Sequence, residues 1–297
     1  TRQVSSAASD VYKRQIIHSV SRKYQDALDV CLEVLENSKV SISSISSISS
    51  NNIYKEISRE KVDLILVIGG DGTMISAIES LLNLKTPFLG INIGKLGFLT
   101  DIDFDSISSE LSKILAGEYV SEERPLLELL TSKGVKKAAV NEIVFHSEKI
   151  AQMTSFSIYQ EDNLISKHKS DGVIVSSATG STGYLFSGGG PIIDPTLSIF
   201  AIMPMFSQSA SSNPMILTAD KKIKIKLGSQ NKSLIVVDGH LDSDIIEESY
   251  ITISQKDLSY TLVHPLNYDY FEACRTKLSW GLPLCLLYTS PSPRDLR

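Results

Sequence analysis

The sequence predicts an α/β layer with a parallel sheet, followed by a mostly antiparallel β domain. Three observations carry this. Leu64-Ile65-Leu66-Val67-Ile68 is an unbroken apolar run, the pattern of a strand buried on both faces. It runs through Gly69-Gly70-Asp71-Gly72-Thr73 into a stretch with apolar residues at Met74, Ile75, Ile78, Leu81 and Leu82, which is helical spacing. Beyond Arg124-Pro125 the pattern changes to short apolar stretches at brief, regular intervals, the signature of antiparallel strands.

The elements follow in order. Residues 21–37 place Tyr24, Leu28, Cys31, Leu32 and Leu35 on one face of a helix. A short strand is expected at about 40–45 and a short helix at 53–59. The strand at 64–68, its glycine turn and a helix capped by Thr73 come next. Pro87 to Asn92 reads as a second buried strand, and Gly90-Ile91-Asn92-Ile93-Gly94-Lys95-Leu96-Gly97-Phe98-Leu99 as a second glycine-rich turn. Ligands of such sheets bind at the carboxyl ends of the strands, where both turns would lie. The β domain is expected over 125–265, with strands in 126–131, 138–145, 154–159, 172–177, 221–227, 233–238, 249–254 and 259–263. Lys222-Ile223-Lys224-Ile225-Lys226-Leu227 alternates strictly, as a half-buried strand does. A last segment from His264 to Gly281 reads helical. Residues 1–15 and 285–297 differ in composition from the rest and read as non-native or disordered tails, which leaves 16–124 as the first domain.

Composition narrows the function. The chain has 297 residues, 42% of them hydrophobic, an ordinary globular content. A net charge of −5 speaks against nucleic acid as a partner. No run approaches the roughly 18 apolar residues of a membrane span. Cys31, Cys274 and Cys285 have neither metal spacing nor an even count, as expected of a cytoplasmic chain in a reducing compartment.

Three clusters carry chemistry. A strand, glycine turn and helix aim backbone N–H groups and the positive helix end at one point, which suits a phosphate. Asp71 is anomalous there, since a carboxylate repels phosphate. It can accept a proton from an attacking hydroxyl, hold Mg²⁺ on a nucleotide, or simply serve an Asp-Gly turn. Asn141-Glu142 interrupts an apolar strand region, so its polar groups need partners, either a ligand or a strand-end cap. In the third cluster, Asp171 to Pro191, a strand runs into the hydroxyl- and glycine-rich turn Thr179-Gly180-Ser181-Thr182-Gly183-Tyr184-Leu185-Phe186-Ser187. The P-loop and G-x-G-x-x-G signatures are absent from the sequence, as are the G-x-S-x-G elbow, the H-R-D kinase loop and zinc-ligand spacing.

These clusters, in this order and separation, resemble the NAD kinase family over about 20–282. Gly69 to Thr73 is similar to that family's GGDG loop, Asn141-Glu142 to its Asn-Glu pair, and Asp171 to Pro195 to its long D-G…T-G-S-T-x-Y…G-G-P segment. Val237-Asp238-Gly239-His240 sits where the family has a late substrate-contacting loop. The residues from His264-Pro265 to Trp280-Gly281 resemble the C-terminal segment of proteobacterial members, which returns to the first domain; 266–284 is expected to do so here.

The resemblance implies a Rossmann-like first domain and ATP-dependent phosphorylation of NAD at the 2′-hydroxyl of its adenosine ribose. Asp71 would accept the hydroxyl proton. Gly70, Gly72 and Thr73 would hold phosphates, with Mg²⁺ carried on ATP. Asn141 and Glu142 would bind adenosine. Asp171, Thr179, Thr182, Gly183, Tyr184, Leu185, Phe186 and Ser187 would line the dinucleotide site, as would Gln152, Lys169 and Phe206. His240 would reach a ligand across the interface of a homodimer or homotetramer. The sequence departs from common family residues at Gln152, Lys169, Ser177, Ala178, Gly183, Gln208 and Asn213. If Thr182 to Ser187 begins a helix, Gly183 costs that turn stability relative to alanine. Two other readings remain: a lipid or sugar kinase sharing the GGDG-type loop, and a non-catalytic dinucleotide-binding regulator.

Overall fold

The computed structural model describes residues 13–19, 22–48, 62–94, 97–149, 152–209, 211–228, 233–241, 250–255 and 258–281. The helix expected at 53–59 lies outside them, as do positions 1–12 and 285–297 of the expected tails. Residues 13–15 do not belong to a tail: they open strand β1 (Lys13–Ser19), which pairs in parallel with both β2 (Ser41–Ile48) and β3 (Leu64–Ile68).

Helix α1 (Arg22–Asn37) links β1 to β2, and α2 (Asp71–Leu81) leads to β4 (Phe88–Ile91), parallel to β3. After α3 (Ile107–Leu115) comes β5 (Tyr119–Pro125). Every residue of β3 is buried, and its alternation serves two cores. Leu64, Leu66 and Ile68 pack with Ala27, Leu28 and Cys31 of α1 and with Ile107 and Leu111 of α3. Ile65 and Val67 pack with Met74, Ala77 and Ile78 of α2. Helices on both faces explain why this strand carries no polar residue. Each fully buried aliphatic side chain contributes about 1.5–3 kcal/mol.

The β domain is a sandwich. In chain order its strands are β6 (Leu127–Thr131), β7 (Lys136–Ala139), β8 (Glu142–Ser147), β9 (Thr154–Gln160), β10 (Asn163–Ser170) and β11 (Gly172–Ser176). Helix α4 (Tyr184–Ser187) intervenes before β12 (Ile199–Met205), β13 (Met215–Thr218), β14 (Ile223–Leu227), β15 (Ser233–Val237), β16 (His240–Leu241) and β17 (Tyr250–Ser254). One sheet has the order β10-β9-β14-β17-β6-β7, the other β13-β12-β11-β8-β15-β16. Phe156, Ile158, Ile223, Ile225, Ile251 and Ile253 of the first interlock with Phe145, Val173, Val175, Phe200 and Ile202 of the second. The second sheet also buries its outer face: Val144, Ile174, Ala201 and Met203 lie under Ala178, Leu185 and Ile193.

The chain then re-enters the first sheet with β18 (Ser259–Pro265), parallel to β4 and antiparallel to β5. The return therefore begins at Ser259, earlier than the 266 expected, and β18 is a strand of the first domain. The first sheet has the order β2-β1-β3-β4-β18-β5. Helix α5 (Tyr270–Leu278) follows, capped by the Asp269 side chain accepting from the Phe271 amide. Its approach is pinned by His264, which pairs with Asp101 and stacks on Tyr268 with ring centroids 3.9 Å apart. Because β3, β4 and β18 are parallel, the turns after them all open on one edge of the sheet.

Candidate active site

Thr73 does not cap α2. Gly70 occupies the N-cap with extended backbone, and helical bonds begin at once, Thr73 and Met74 both donating to the Gly70 carbonyl. Asp71 is thus the first helical residue. The amides of Asp71 and Gly72 belong to a first helical turn, which has no intrahelical acceptors for its leading N–H groups. Open space surrounds Gly70 and Gly72, where an added Cβ would meet nothing within 4 Å. At Gly69, by contrast, a Cβ would overlap the Thr73 side chain, so only glycine lets the strand turn so tightly into the helix.

The loop after β4 closes on Asp71. The Phe98 amide donates to Asp71 Oδ2 at 2.8 Å and the Leu99 amide to Oδ1 at 3.0 Å. The loop is itself braced: Asn92 Nδ2 donates to Thr100 Oγ1 at 3.0 Å, and Gly94 N to Asn92 Oδ1 at 2.7 Å. A Cβ on Gly97 would overlap Asp71 Oδ1 and Thr100 Oγ1. Both glycine turns thus meet at one carboxylate, held at the positive end of a helix.

Asn141 lies between β7 and β8, and Glu142 opens β8. The Asp238 carboxylate accepts from the amides of Val140, Asn141 and Glu142 at 2.6, 2.8 and 2.9 Å. The Asn141 carbonyl accepts from the Ser177 amide at 2.8 Å and from Ser176 Oγ at 3.2 Å. These bonds fix the Asn141 backbone and leave its side chain to project toward Gly183, where an added Cβ would lie 3.5 Å from Nδ2. Glu142 is buried, and burial, reinforced by the negative charge of Asp238, pushes its carboxyl up to about 7, against the pull of the Tyr184 amide. Asp238 also meets Glu79 of α2. Burial, then Asp238's charge, push Glu79 up to about 8, so the pair holds one proton near neutrality.

The turn after β11 is not one helix. Thr179–Thr182 forms a single 3₁₀ turn, Gly183 breaks it at φ −94°, and α4 begins at Tyr184. Gly183 is therefore a junction and not a helix-interior residue. Leu185 is buried under the sandwich and so does not line the dinucleotide site as expected, while Tyr184, Phe186 and Ser187 are exposed and the Tyr184 amide meets Glu142. Thr182 Oγ1 caps back onto the Thr179 carbonyl at 3.4 Å. Helix α5 spans the two halves: the Tyr270 ring lies 6.1 Å from that of Phe98, and its hydroxyl donates to the Ile193 carbonyl, whose amide is bound by Ser181.

One chain does not gather every predicted residue. Val140, next to Asn141, packs in one core with Met74 of α2 and with Leu99, which sets the Asn141-Glu142 pair and Gly183 near the Gly70–Thr73 turn. Asp171 lies at the opposite end of β11, where its amide donates to the Met205 carbonyl. At about 3.3 Å per residue, the strand puts roughly 17 Å between Asp171 and the Thr179 turn. Lys169 belongs to that far end, through the Gln208 amide on its carbonyl, as does Phe206, which is 80% exposed. Gln152 precedes β9, which pairs with β10 at the same end: Thr154 lies opposite Ser170. His240 is exposed at the β16 edge, in a cleft of about 500 Å³ shared with Glu79 and Lys137. Gly97, the Phe98 and Leu99 amides, and Asp238 as an amide cap were missed as site groups, because backbone donors leave no side-chain signature.

The chain matches the family model of the ATP-NAD kinase N-terminal domain over residues 4–119 and that of the C-terminal domain over 140–265. Similar proteins include an NAD kinase from Pseudoalteromonas translucida, 38% identical over 246 residues, which cover 80% of this chain and 84% of that one. Another is an NAD kinase from Cellvibrio japonicus, 35% identical, covering 86% of this chain and 88% of that one. Among solved structures, the yeast NADH kinase complexed with NADH superposes with a TM-score of 0.80 at 20% identity, covering 92% of this chain and 89% of that one. An NAD kinase from Archaeoglobus fulgidus in complex with ATP gives 0.72 at 25% identity, covering 88% and 96%. Two family models over most of the chain and relatives well above 30% identity assign it: the chain belongs to the ATP-NAD kinase family.

Proposed function

We propose that this chain is an NAD kinase that transfers the terminal phosphoryl group of ATP to the 2′-hydroxyl of the adenosine ribose of NAD. The observation that carries the reading is the Asp71 carboxylate, held by two backbone amides beside the open Gly70–Gly72 turn. The hydroxyl proton passes to Asp71 as the 2′-oxygen forms its bond to the terminal phosphorus. The bond from that phosphorus to its bridging oxygen breaks, and ADP leaves with the electron pair. Gly70, Gly72 and Thr73 supply the phosphate side of the turn. Each Asp71 oxygen accepts one amide and keeps a second acceptor position, so the residues fit a magnesium ion carried on ATP, which would neutralise phosphate charge.

Asn141 and Glu142 bind the adenine-ribose portion, and Thr179, Thr182, Gly183, Phe186 and Ser187 line its flank, with the exposed Tyr184 ring as a stacking face. Gln152, Lys169, Asp171 and Phe206 lie at the far end of β11, and His240 lies at the exposed β16 edge. They serve the dinucleotide if a second copy of the chain supplies them, which is the reason to expect a homodimer or homotetramer. Cys31 and Cys274 are free and buried, compatible with a cytoplasmic location, and no described helix is long and apolar enough to cross a membrane.

The test is purified protein with ATP, Mg²⁺ and NAD, measuring NADP. NADP accumulating with ADP is expected. Phosphorylation of diacylglycerol or a sugar in place of NAD points to the other kinase classes. Tight NAD binding without turnover points to a regulator.

A further inference from the structure

Lys277, in the last turn of α5, has no counterion within hydrogen-bonding distance among the described residues. Its Nζ lies 4.4 Å from the centroid of the Phe98 ring, on the ring face. The same atom is shielded from solvent and has no hydrogen-bond partner among the described residues. An ammonium so placed carries three donors and is unfavourable there unless an anion meets it. Phe98 ties it to the catalytic carboxylate, since the residue whose ring bears Lys277 also donates its amide to Asp71 Oδ2. Asp71 and Asp101 both act on Lys277 electrostatically, opposing the burial that disfavours its charge. Neither makes a bond to it. A cation is therefore fixed beside the proposed base and the open end of α2, with its donors unspent.

We infer that Lys277 binds the transferred phosphoryl group of ATP and stabilises the charge that develops on it. This rests on the function proposed above. Three features support a phosphate as the missing anion. The neighbouring first-turn amides of α2 favour the same ligand. Asp71 adds negative charge at the point where ATP phosphates must approach, and a cation there offsets the repulsion. The cation–π contact holds the Lys277 stem without consuming a donor, so its N–H groups stay free for oxygen atoms.

The test compares Lys277→Met, which keeps the stem over Phe98, with Lys277→Arg. For NADP formation the inference predicts a fall in kcat of about 10²-fold or more in Lys277→Met. KM for NAD stays within about three-fold, and Lys277→Arg recovers at least a tenth of wild-type kcat. Calorimetric ATP binding, measured without NAD, weakens at least ten-fold in Lys277→Met. This second readout decides the role of Lys277 even if wild type makes no NADP, an outcome that would overturn the proposed function alone. If Lys277→Met does not fold, Lys277→Gln replaces it in both assays. Unchanged ATP affinity, or equal loss in the Arg and Met variants with matching losses of melting temperature, overturns the inference and leaves Lys277 a packing residue.

Discussion

The Phe98 amide reaches 2.8 Å to Asp71 Oδ2, joining the loop after β4 to the first residue of α2. With the Leu99 amide on the other oxygen, the carboxylate cannot rotate without breaking both bonds. Its position is thus set by a loop remote in sequence, and that loop's geometry becomes part of the chemistry.

Gly97→Ala tests this clamp without touching the carboxylate. The new methyl would overlap Asp71 Oδ1 and Thr100 Oγ1, and both oxygens are already fixed by hydrogen bonds. Displacing a reacting group by about 1 Å costs on the order of 10²-fold in rate. We expect kcat to fall at least ten-fold while calorimetry shows NAD still bound. Wild-type kcat in Gly97→Ala would show that the carboxylate position is not critical.

Much of the architecture was legible where burial dictates pattern. The Leu64–Ile68 run declares a strand covered on both faces, and the Lys224 and Lys226 alternation declares one covered on a single face, its lysines lying over Tyr250 and Tyr159. Strands β10 and β13 were not legible. Each is a sheet edge with largely exposed residues, so neither needed an apolar pattern. Strand β12 carries Pro204, which argues against a central strand although it lies between β13 and β11. The return of β18 was misplaced because a strand's sequence does not say which sheet it joins. In the site, Asp71 and Asn141-Glu142 stood out as polar interruptions of apolar runs. The amide donors and the stretch between the two ends of β11 did not, being properties of backbone and topology.

Gly183→Ala probes the junction between the 3₁₀ turn and α4. The φ of −94° is open to alanine, so a positive-φ penalty does not arise. Alanine restricts the unfolded loop, a gain of about 0.4–1 kcal/mol for the ordered form. Against this, the methyl would sit 3.3 Å from Glu142 Oε2 and from the Gly180 carbonyl. Glu142 Oε2 has no hydrogen-bond partner among the described residues, which lets it give way. We expect KM for NAD to fall by up to about five-fold with kcat nearly unchanged. A raised KM would show that the contact wins.

Glu142 makes stability pH-dependent. Its carboxyl, raised from 4.5 to about 7, holds its proton more tightly folded than unfolded. That contribution is fully present below the unfolded value and is lost as pH rises through the folded one. Glu142→Gln keeps a neutral side chain at every pH. Denaturant melts from pH 4.5 to 7.5 should show wild type losing up to about 3 kcal/mol relative to the variant. Parallel curves would mean that burial does not raise the Glu142 carboxyl above its unfolded value.

Asp71→Asn tests the central claim most directly. Asparagine keeps one oxygen for the Phe98 or Leu99 amide and turns an amino group toward the other, at a stability cost of about 1–3 kcal/mol. It cannot take the hydroxyl proton. With ATP, Mg²⁺ and NAD under saturating conditions, the account predicts a kcat lower by about 10²–10⁴-fold, with KM for NAD within a few-fold of wild type. A kcat within a few-fold of wild type would contradict it and remove Asp71 from the role of base.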